Sequence, residues 1–214
     1  LQDHIDYTAV YRSRSRQVFG YSLSGAIDLI DACLEWRRQR TGMIATPFAE
    51  TGGFLKTCPE LETPDIQLHF VVGIVDDHNR KIHLGHGFSC HVCVLRPRSR
   101  GTVKLASANP KDDPLIDPCF FSDEADLNLL IEGYKITRRI LEAPALADYR
   151  AKELYKVDMG DDQALRKMIR SRADTVYHPV GTCKMGRDDM AVVDNKLRVR
   201  GLDGLRIADA SIMP

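Results

Sequence analysis

Three short apolar segments in the middle of the chain constrain its fold most strongly. The first, 66–75, is rich in β-branched and apolar residues, the second, 88–95, alternates, and the third covers 102–105. Runs of this length and composition predict β-strands. Because few helices can fit between strands spaced in this way, the pattern favours an antiparallel sheet.

Three helices are predicted by apolar residues that recur at helical spacing. The first covers about 25–40, with Ser24 as its N-cap. The second starts near Ser122 and ends at Pro144, and the third covers about 161–173. Strands followed mostly by helices indicate an α+β fold, in which helices flank an antiparallel β-sheet.

The composition argues against several classes of protein. The chain has 30 basic and 30 acidic residues, and its formal charge of zero gives no reason to expect nucleic acid as a partner. No apolar run approaches the roughly 18–20 residues that would span a bilayer. Six cysteines are too few for a disulfide framework, so a reducing, cytoplasmic setting is expected. The opening at Leu1, without a signal peptide, is typical of the middle of a longer protein.

A group of histidines and cysteines within 78–93 is the first candidate site. Cys90 and Cys93 have the Cys-x-x-Cys spacing that can bind zinc, but the adjacent second pair of a zinc ribbon is missing. If this segment is a strand, its alternation places the two thiols on opposite faces, and no metal site is predicted. A flavin-free metal-binding or interaction module around these residues stays open as an alternative function.

His178 is the second candidate, because its turn-rich segment can hold an imidazole at a fixed place. Pro179 biases His178 toward extended geometry, and Gly181 allows close approach of the backbone. Imidazole titrates near neutrality and can accept a proton from an alcohol at physiological pH. From the residues alone, His178 is either a catalytic base or a structural histidine bonded to a carbonyl.

Motifs of other enzyme classes are absent. The adjacent acidic residues Asp76 and Asp77 point apart in an extended segment and form a poor acid–base pair. There is no Gly-x-Ser-x-Gly elbow to support an esterase. Gly85 and Gly87 do not fit the pyrophosphate-binding glycine fingerprint, so this chain is not predicted to contain a dinucleotide-binding Rossmann unit.

Several longer stretches resemble the glucose–methanol–choline (GMC) oxidoreductases, the flavin-dependent alcohol oxidases and dehydrogenases. These stretches are Leu1-Gln2-Asp3-His4, Pro97 to Leu105, Asn109-Pro110, Leu115 to Pro118, Tyr177 to Gly186 and Gly201 to Pro214. The pattern is most similar to choline-dehydrogenase-like and aliphatic-alcohol-dehydrogenase-like members. The resemblance implies a substrate-binding domain at 1–190 and a segment at 191–214 that returns to a flavin domain. It also implies that the flavin-binding Rossmann-like domain is absent from this chain.

The resemblance implies a function as well. The complete protein would oxidise choline or another primary alcohol to the aldehyde, with FAD as cofactor and oxygen or a quinone as acceptor. His178 matches the active-site base of the family, and Asp209 and Ala210 match residues that contact the flavin. His69 and His86 are weaker candidates for the substrate pocket, because the substrate-domain sheet of this family faces the flavin.

Further expectations follow from the same resemblance. The missing FAD-binding domain would be a partner of this chain, which alone is expected to bind no flavin and to show no turnover. A second active-site His or Asn would lie beyond Pro214. A quinone acceptor would place the complete protein at the periphery of the inner membrane. Some relatives are lyases that hold flavin without using its redox change, and a flavin-containing lyase is the alternative with the same fold.

Overall fold

A computed structural model describes all residues, 1–214, and contains eight strands and three helices. The strands are β1 (Ile5–Ser13), β2 (Gly20–Tyr21), β3 (Thr51–Leu55), β4 (Ile66–Val71), β5 (Gly85–Val94), β6 (Thr102–Lys104), β7 (Leu115–Asp117) and β8 (Asp174–Thr175). The helices are α1 (Leu23–Gln39), α2 (Glu124–Leu141) and α3 (Asp162–Arg172). Short 3-10 turns cover Met43–Ala45, Asp77–Asn79, Pro144–Leu146 and Ala210–Ile212. None of the helices is long and apolar enough to cross a membrane.

The main sheet has the strand order β3-β4-β5-β1-β8, and β2 also pairs with β5. The pairs β3–β4, β4–β5, β5–β1 and β5–β2 are all antiparallel. Strands β6 and β7 form a separate antiparallel hairpin. The predicted α+β fold with an antiparallel sheet and flanking helices is therefore confirmed.

The predicted strands are confirmed in position, with shifted ends. The segment 66–75 becomes β4, which ends at Val71, and 88–95 falls largely within β5. The segment 102–105 becomes β6, which pairs only with β7 and stays outside the main sheet. The first strand, β1, was not predicted, although it pairs with β5 over eight residues.

The three predicted helices are confirmed, and one predicted cap is wrong. Ser22, not Ser24, is the N-cap of α1, because Ser22 is extended and its side chain accepts the Gly25 N–H at 2.9 Å. Ser24 already lies in the first turn. The second helix ends at Leu141, before Pro144, and α3 is capped by Asp161, which accepts the Ala164 N–H at 2.9 Å.

The chain divides into two compact units, each built from separate stretches of sequence. The first, called the terminal unit, comprises 1–5, 96–126 and 175–214. The second, called the sheet unit, comprises 6–95 and 127–174. Neither unit is continuous in sequence.

The core of the sheet unit lies between one face of the sheet and helices α2 and α3. Tyr7 packs edge-on against Tyr134 of α2 with ring centroids 5.1 Å apart, and its hydroxyl lies 3.3 Å from the Met168 sulfur of α3. Close packing extends to Gly133, where an added Cβ would lie 3.0 Å from the Val92 side chain. Tyr7, Tyr134 and Val92 are almost fully buried, so this face is apolar and covered.

The terminal unit is held by a buried carboxylate. Asp126 is 2% exposed and accepts the backbone N–H groups of Arg98 and Ser99, each at 2.8 Å, and the Ser99 hydroxyl at 2.6 Å. The first residue joins the same region, since Leu1 and Gly101 exchange two hydrogen bonds of 2.9 and 3.0 Å. Residues far apart in sequence are thereby fixed beside one another.

Candidate active site

The loop that carries His178 belongs to the terminal unit. Tyr177 has a φ of 65° and Gly181 a φ of 85°, so the backbone turns through the left-handed region on both sides of His178. After the histidine, Val180 forms an antiparallel bridge with Gln2 through two hydrogen bonds of 2.8 and 2.9 Å. The loop is therefore tied to the N-terminal segment directly after the predicted base.

The same N-terminal segment also holds the loop before and at His178. The His178 N–H donates to Asp3 Oδ1 at 3.1 Å, and the Thr175 hydroxyl donates to Asp3 Oδ2. The Thr175 oxygen in turn accepts the Tyr177 N–H at 2.7 Å. One carboxylate thus fixes the positions of both ends of the segment 175–178.

The His178 side chain itself is exposed. Its ring packs edge-on against the His4 ring, with centroids 5.6 Å apart and planes at 87°. An exposed imidazole on a backbone held at several points can exchange a proton with a molecule bound in front of it. A general base needs such access to its substrate.

Asp209 and Ala210 lie at the start of the 3-10 turn Ala210–Ile212, and both are exposed. Asp209 accepts the Ser211 N–H at 2.8 Å, and the hydrogen bonds from Ser211 lower the pKa of the Asp209 carboxyl. The Cys183 N–H donates to the Ser211 carbonyl at 2.9 Å. The terminal unit therefore joins the candidate cofactor residues to the chain that follows the His178 loop.

His86 and His69 lie in the sheet unit. Nδ1 of His86 donates to the Val18 carbonyl at 2.8 Å, and its Nε2 lies 3.0 Å from the Ser22 hydroxyl. Nε2 of His86 thus joins β5 to the N-cap of α1, and Nδ1 joins it to the segment before β2. His69 lies on β4 directly opposite His91 of β5, half-buried on the face away from α2 and α3.

His91 forms a pair with a buried acid on this face. Nδ1 of His91 lies 2.6 Å from Asp6 Oδ2 and 3.1 Å from the Thr8 hydroxyl. Burial acts to lower the pKa of His91, but the hydrogen bond and the charge of Asp6 outweigh it and raise the pKa. The second oxygen of Asp6 is buried without a hydrogen-bond partner, so it can accept one further hydrogen bond.

Two cavities open within the sheet unit. The Asp6–His91 pair lines a polar cavity of about 130 Å³, together with Thr8, His78 and Asp174. The second cavity is about 1120 Å³ and largely apolar, and its wall includes Phe19, Tyr21, Leu23, Phe48, Ile74 and Leu84. His69 lines neither cavity, and His86 is not part of either wall.

The histidine and cysteine group of 78–93 is dispersed in the structure. Cys90 and Cys93 both lie on β5, three residues apart and therefore on opposite faces, and both are buried. No group of three or more His, Cys, Asp or Glu side chains is arranged to hold a metal ion. His91 pairs with Asp6, His83 lies 2.6 Å from Asp76, and His78 lies 2.9 Å from Asp174.

Sequence reasoning missed the residues that support the candidate base. Asp3 and Thr175 were not singled out. One signal was available. Asp3 belongs to Leu1-Gln2-Asp3-His4, a stretch that carries the family resemblance, and the apolar pattern of the sequence does not explain why an acid stands there. That signal does not reveal the partner of Asp3, because the partner lies at the other end of the chain.

Comparison with known families and relatives gives a consistent result. A family model described as GMC oxidoreductase matches residues 97–214. An alcohol dehydrogenase [acceptor] of Pseudomonas putida is 44% identical over all of this chain, which spans 39% of that protein. An oxygen-dependent choline dehydrogenase of Cronobacter sakazakii is 42% identical over 84% of this chain, which corresponds to 32% of that protein. The chain therefore spans well under half the length of these relatives.

Solved structures show the same fold. A formate oxidase of Aspergillus oryzae RIB40 superposes on all of this chain with a TM-score of 0.87 at 24% identity, over 42% of its own chain. Pyridoxine 4-oxidase from Mesorbium loti superposes with a TM-score of 0.76 at 25% identity, again over all of this chain and over 38% of its own.

Proposed function

Because the chain belongs to the GMC oxidoreductase family, we propose that the complete protein oxidises a primary alcohol to the aldehyde with FAD as its cofactor. The relatives named alcohol dehydrogenase and choline dehydrogenase support this class of substrate. Choline and other primary alcohols are both candidate substrates, and oxygen and a quinone are both candidate acceptors.

The exposed imidazole of His178 is the observation that carries this proposal. Its backbone N–H is bonded to Asp3, and Val180, two residues later, is bonded to Gln2. In the proposed reaction, His178 accepts the hydroxyl proton of the alcohol while the carbinol carbon loses hydride. A base whose pKa lies near the working pH contributes about 10²–10⁴-fold to such a step.

Asp209 and Ala210 are proposed to hold the flavin. Both are exposed at the start of a turn that is bonded to the chain after His178, so a cofactor bound there would lie on the same unit as the base. When bound, FAD supplies the acceptor for the hydride. In this proposal, 1–190 form the substrate-binding domain and 191–214 return to the flavin domain.

His69 and His86 are proposed as residues of the substrate pocket, with different support. His69 lies on the face of the sheet away from α2 and α3, directly opposite His91. Both ring nitrogens of His86 contact protein groups, the Val18 carbonyl and the Ser22 hydroxyl, which favours a structural role that fixes the segment 18–22. Of the two, His69 is the better candidate for contact with substrate, although it lines neither of the two cavities.

The test uses the complete protein that contains these residues. It is mixed anaerobically with choline and then with a series of primary alcohols, and flavin absorbance is followed. Wild-type flavin should bleach with one class of alcohol, and His178→Ala should slow bleaching about 10²–10⁴-fold. Tyr177→Phe is the matched control, because Tyr177 is 64% exposed in the same loop and the imidazole is kept.

The possible outcomes separate the rival functions. Bound flavin that no alcohol bleaches would favour the lyase, and a complete protein without flavin would refute the proposal. Metal bound in stoichiometric amount to a flavin-free protein would favour the binding module. The 214-residue chain alone is expected to bind no flavin and show no turnover, and a yellow preparation with stoichiometric flavin would contradict this.

A further inference from the structure

We propose that Asp3 and Thr175 are positioning residues for His178, and that they act by fixing the backbone on which the imidazole is carried. This inference rests on the proposed function, in which His178 is the base. It adds two residues to which neither the family resemblance nor the comparisons assign a role.

The first argument is that both carboxylate oxygens of Asp3 bond to the segment 175–178. Asp3 has two carboxylate oxygens, and both are used on one short stretch of chain, Oδ1 by the His178 N–H at 3.1 Å and Oδ2 by the Thr175 hydroxyl. Thr175 in turn restrains the backbone of Tyr177, because its oxygen accepts the Tyr177 N–H at 2.7 Å. Two side chains therefore satisfy two backbone N–H groups and define the turn that ends at His178.

The second argument is that this turn needs support. Tyr177 has a φ of 65°, a conformation that is unfavourable for a residue with a side chain. Such a conformation persists only where the surroundings over-determine it. The hydrogen bond from the Tyr177 N–H to the Thr175 hydroxyl contributes to this support.

The third argument is the placement of the ring. His4, the residue after Asp3, packs edge-on against the His178 ring at 5.6 Å. Gln2, the residue before Asp3, pairs with Val180. Three consecutive residues of the N-terminal segment thus contact the His178 loop. Gln2 bonds to Val180, Asp3 bonds to the His178 backbone, and His4 packs against the His178 ring. A displacement of about 1 Å at a reacting group can cost about 100-fold in rate.

The test again uses the complete protein and follows anaerobic flavin reduction by the alcohol that wild type oxidises. Thr175→Val removes the hydroxyl but keeps the shape and is expected to slow reduction about 10–100-fold, with little change in the substrate concentration for half-saturation. Thr175→Ser keeps the hydroxyl and should restore most of the rate. Thr102→Val, on the exposed strand β6, is the matched control and should change nothing.

A double-mutant cycle shows whether Thr175 acts through the base. In the His178→Ala background, Thr175→Val should cause no further loss, because there is no imidazole left to position. An equal loss in both backgrounds would show a general structural role and overturn the inference. So would a wild-type rate in Thr175→Val, or a failure of Thr175→Ser to restore the rate.

Asp3→Asn provides a second variant if Thr175→Val does not retain flavin. Its amide oxygen can still accept the His178 N–H, but its NH₂ group cannot accept the Thr175 hydroxyl. Reduction should again slow about 10-fold or more in the wild-type background and not at all in His178→Ala. If His178→Ala itself reduces flavin at the wild-type rate, the proposed function fails. If only the Asp3 and Thr175 variants behave like wild type, the positioning inference alone fails.

Discussion

Replacing Asp76 should strongly destabilise the sheet unit. Asp76 is fully buried and accepts three side-chain hydrogen bonds, from the Tyr155 hydroxyl at 2.5 Å, from His83 at 2.6 Å and from Arg172 at 2.6 Å. Burial alone would raise the pKa of Asp76, but these three donors outweigh it and lower the pKa from 3.8 to about 2. The carboxylate is therefore stabilised mainly by its partners.

The magnitude follows from this pKa and from the partner that is left behind. A fall in pKa from 3.8 to about 2 corresponds to about 2 kcal/mol of stability, at about 1.4 kcal/mol per unit. Asp76→Asn also leaves Arg172, whose side chain is 15% exposed, without its counter-charge. Breaking a buried ion pair costs about 3–5 kcal/mol, and because the amide keeps some hydrogen bonds we expect a loss of about 3 kcal/mol.

The assay is urea denaturation of the 214-residue chain at pH 7, followed by far-UV circular dichroism. Asp76→Asn should lower the free energy of unfolding by about 3 kcal/mol and the melting temperature by about 6–12 °C. Asp77→Asn is the matched control, because the ion pairs of Asp77 are 3.6 Å long, and it should change stability by less than about 0.5 kcal/mol. An Asp76→Asn variant within about 1 kcal/mol of wild type would refute the reasoning.

The pH dependence gives an independent check. A carboxyl whose folded pKa is lowered contributes stability that is fully present above its unfolded pKa and is lost as pH falls through the folded pKa. For Asp76 the window runs from 3.8 down to about 2. Wild type should lose about 2 kcal/mol more than Asp76→Asn across that window, and parallel pH curves for the two proteins would contradict the assignment.

Three further predictions concern the sheet unit. Gly87→Ala should lower the free energy of unfolding by about 1–3 kcal/mol in urea denaturation, because the added Cβ would lie 2.3 Å from the Tyr11 carbonyl of β1. Unchanged stability would argue against the pairing register of β1 with β5. Tyr134→Phe should cost about 1–3 kcal/mol in thermal denaturation, because the Tyr134 hydroxyl donates to the buried Glu153 at 2.6 Å. The ion pair of His91 with Asp6 should stabilise the folded protein. This stability is fully present below the unfolded histidine pKa of 6.5 and is lost as pH rises through the raised folded pKa. An NMR titration of His91 that gives a pKa at or below 6.5 would contradict this prediction.

Elements with a clear periodic pattern could be predicted from the sequence. Helix α2 and strand β5 were found because their apolar spacing matches their geometry, at Glu124–Leu141 and Gly85–Val94. Strand β1 was missed although its middle, like that of β5, is buried on both faces. What distinguishes β1 is Asp6, a charged residue at a buried strand position, whose partner His91 lies 85 residues away in the chain.

Part of the candidate site could also be predicted from the sequence, and part could not. His178 could be named because Pro179 and Gly181 mark a constrained turn locally and the surrounding residues resemble a family. Its support could not be predicted, because Asp3 lies 175 residues away in the chain and reaches the loop only in the folded protein. Ser22 and Ser24 are equally good caps by residue type, and only backbone geometry separates them.

The interleaved make-up of the terminal unit bears on how the protein is synthesised. Residues 1–5 are made before 175–214, and the terminal unit needs both stretches. At about 5–20 residues per second, the 40 residues of that last stretch take about 2–8 s to be made, and the early segment has no native partner there until then. Because the bonds between Asp3 and the His178 loop close such a long stretch of chain, they form late, and a chaperone that shields the nascent N-terminal segment would protect the step on which the candidate base depends.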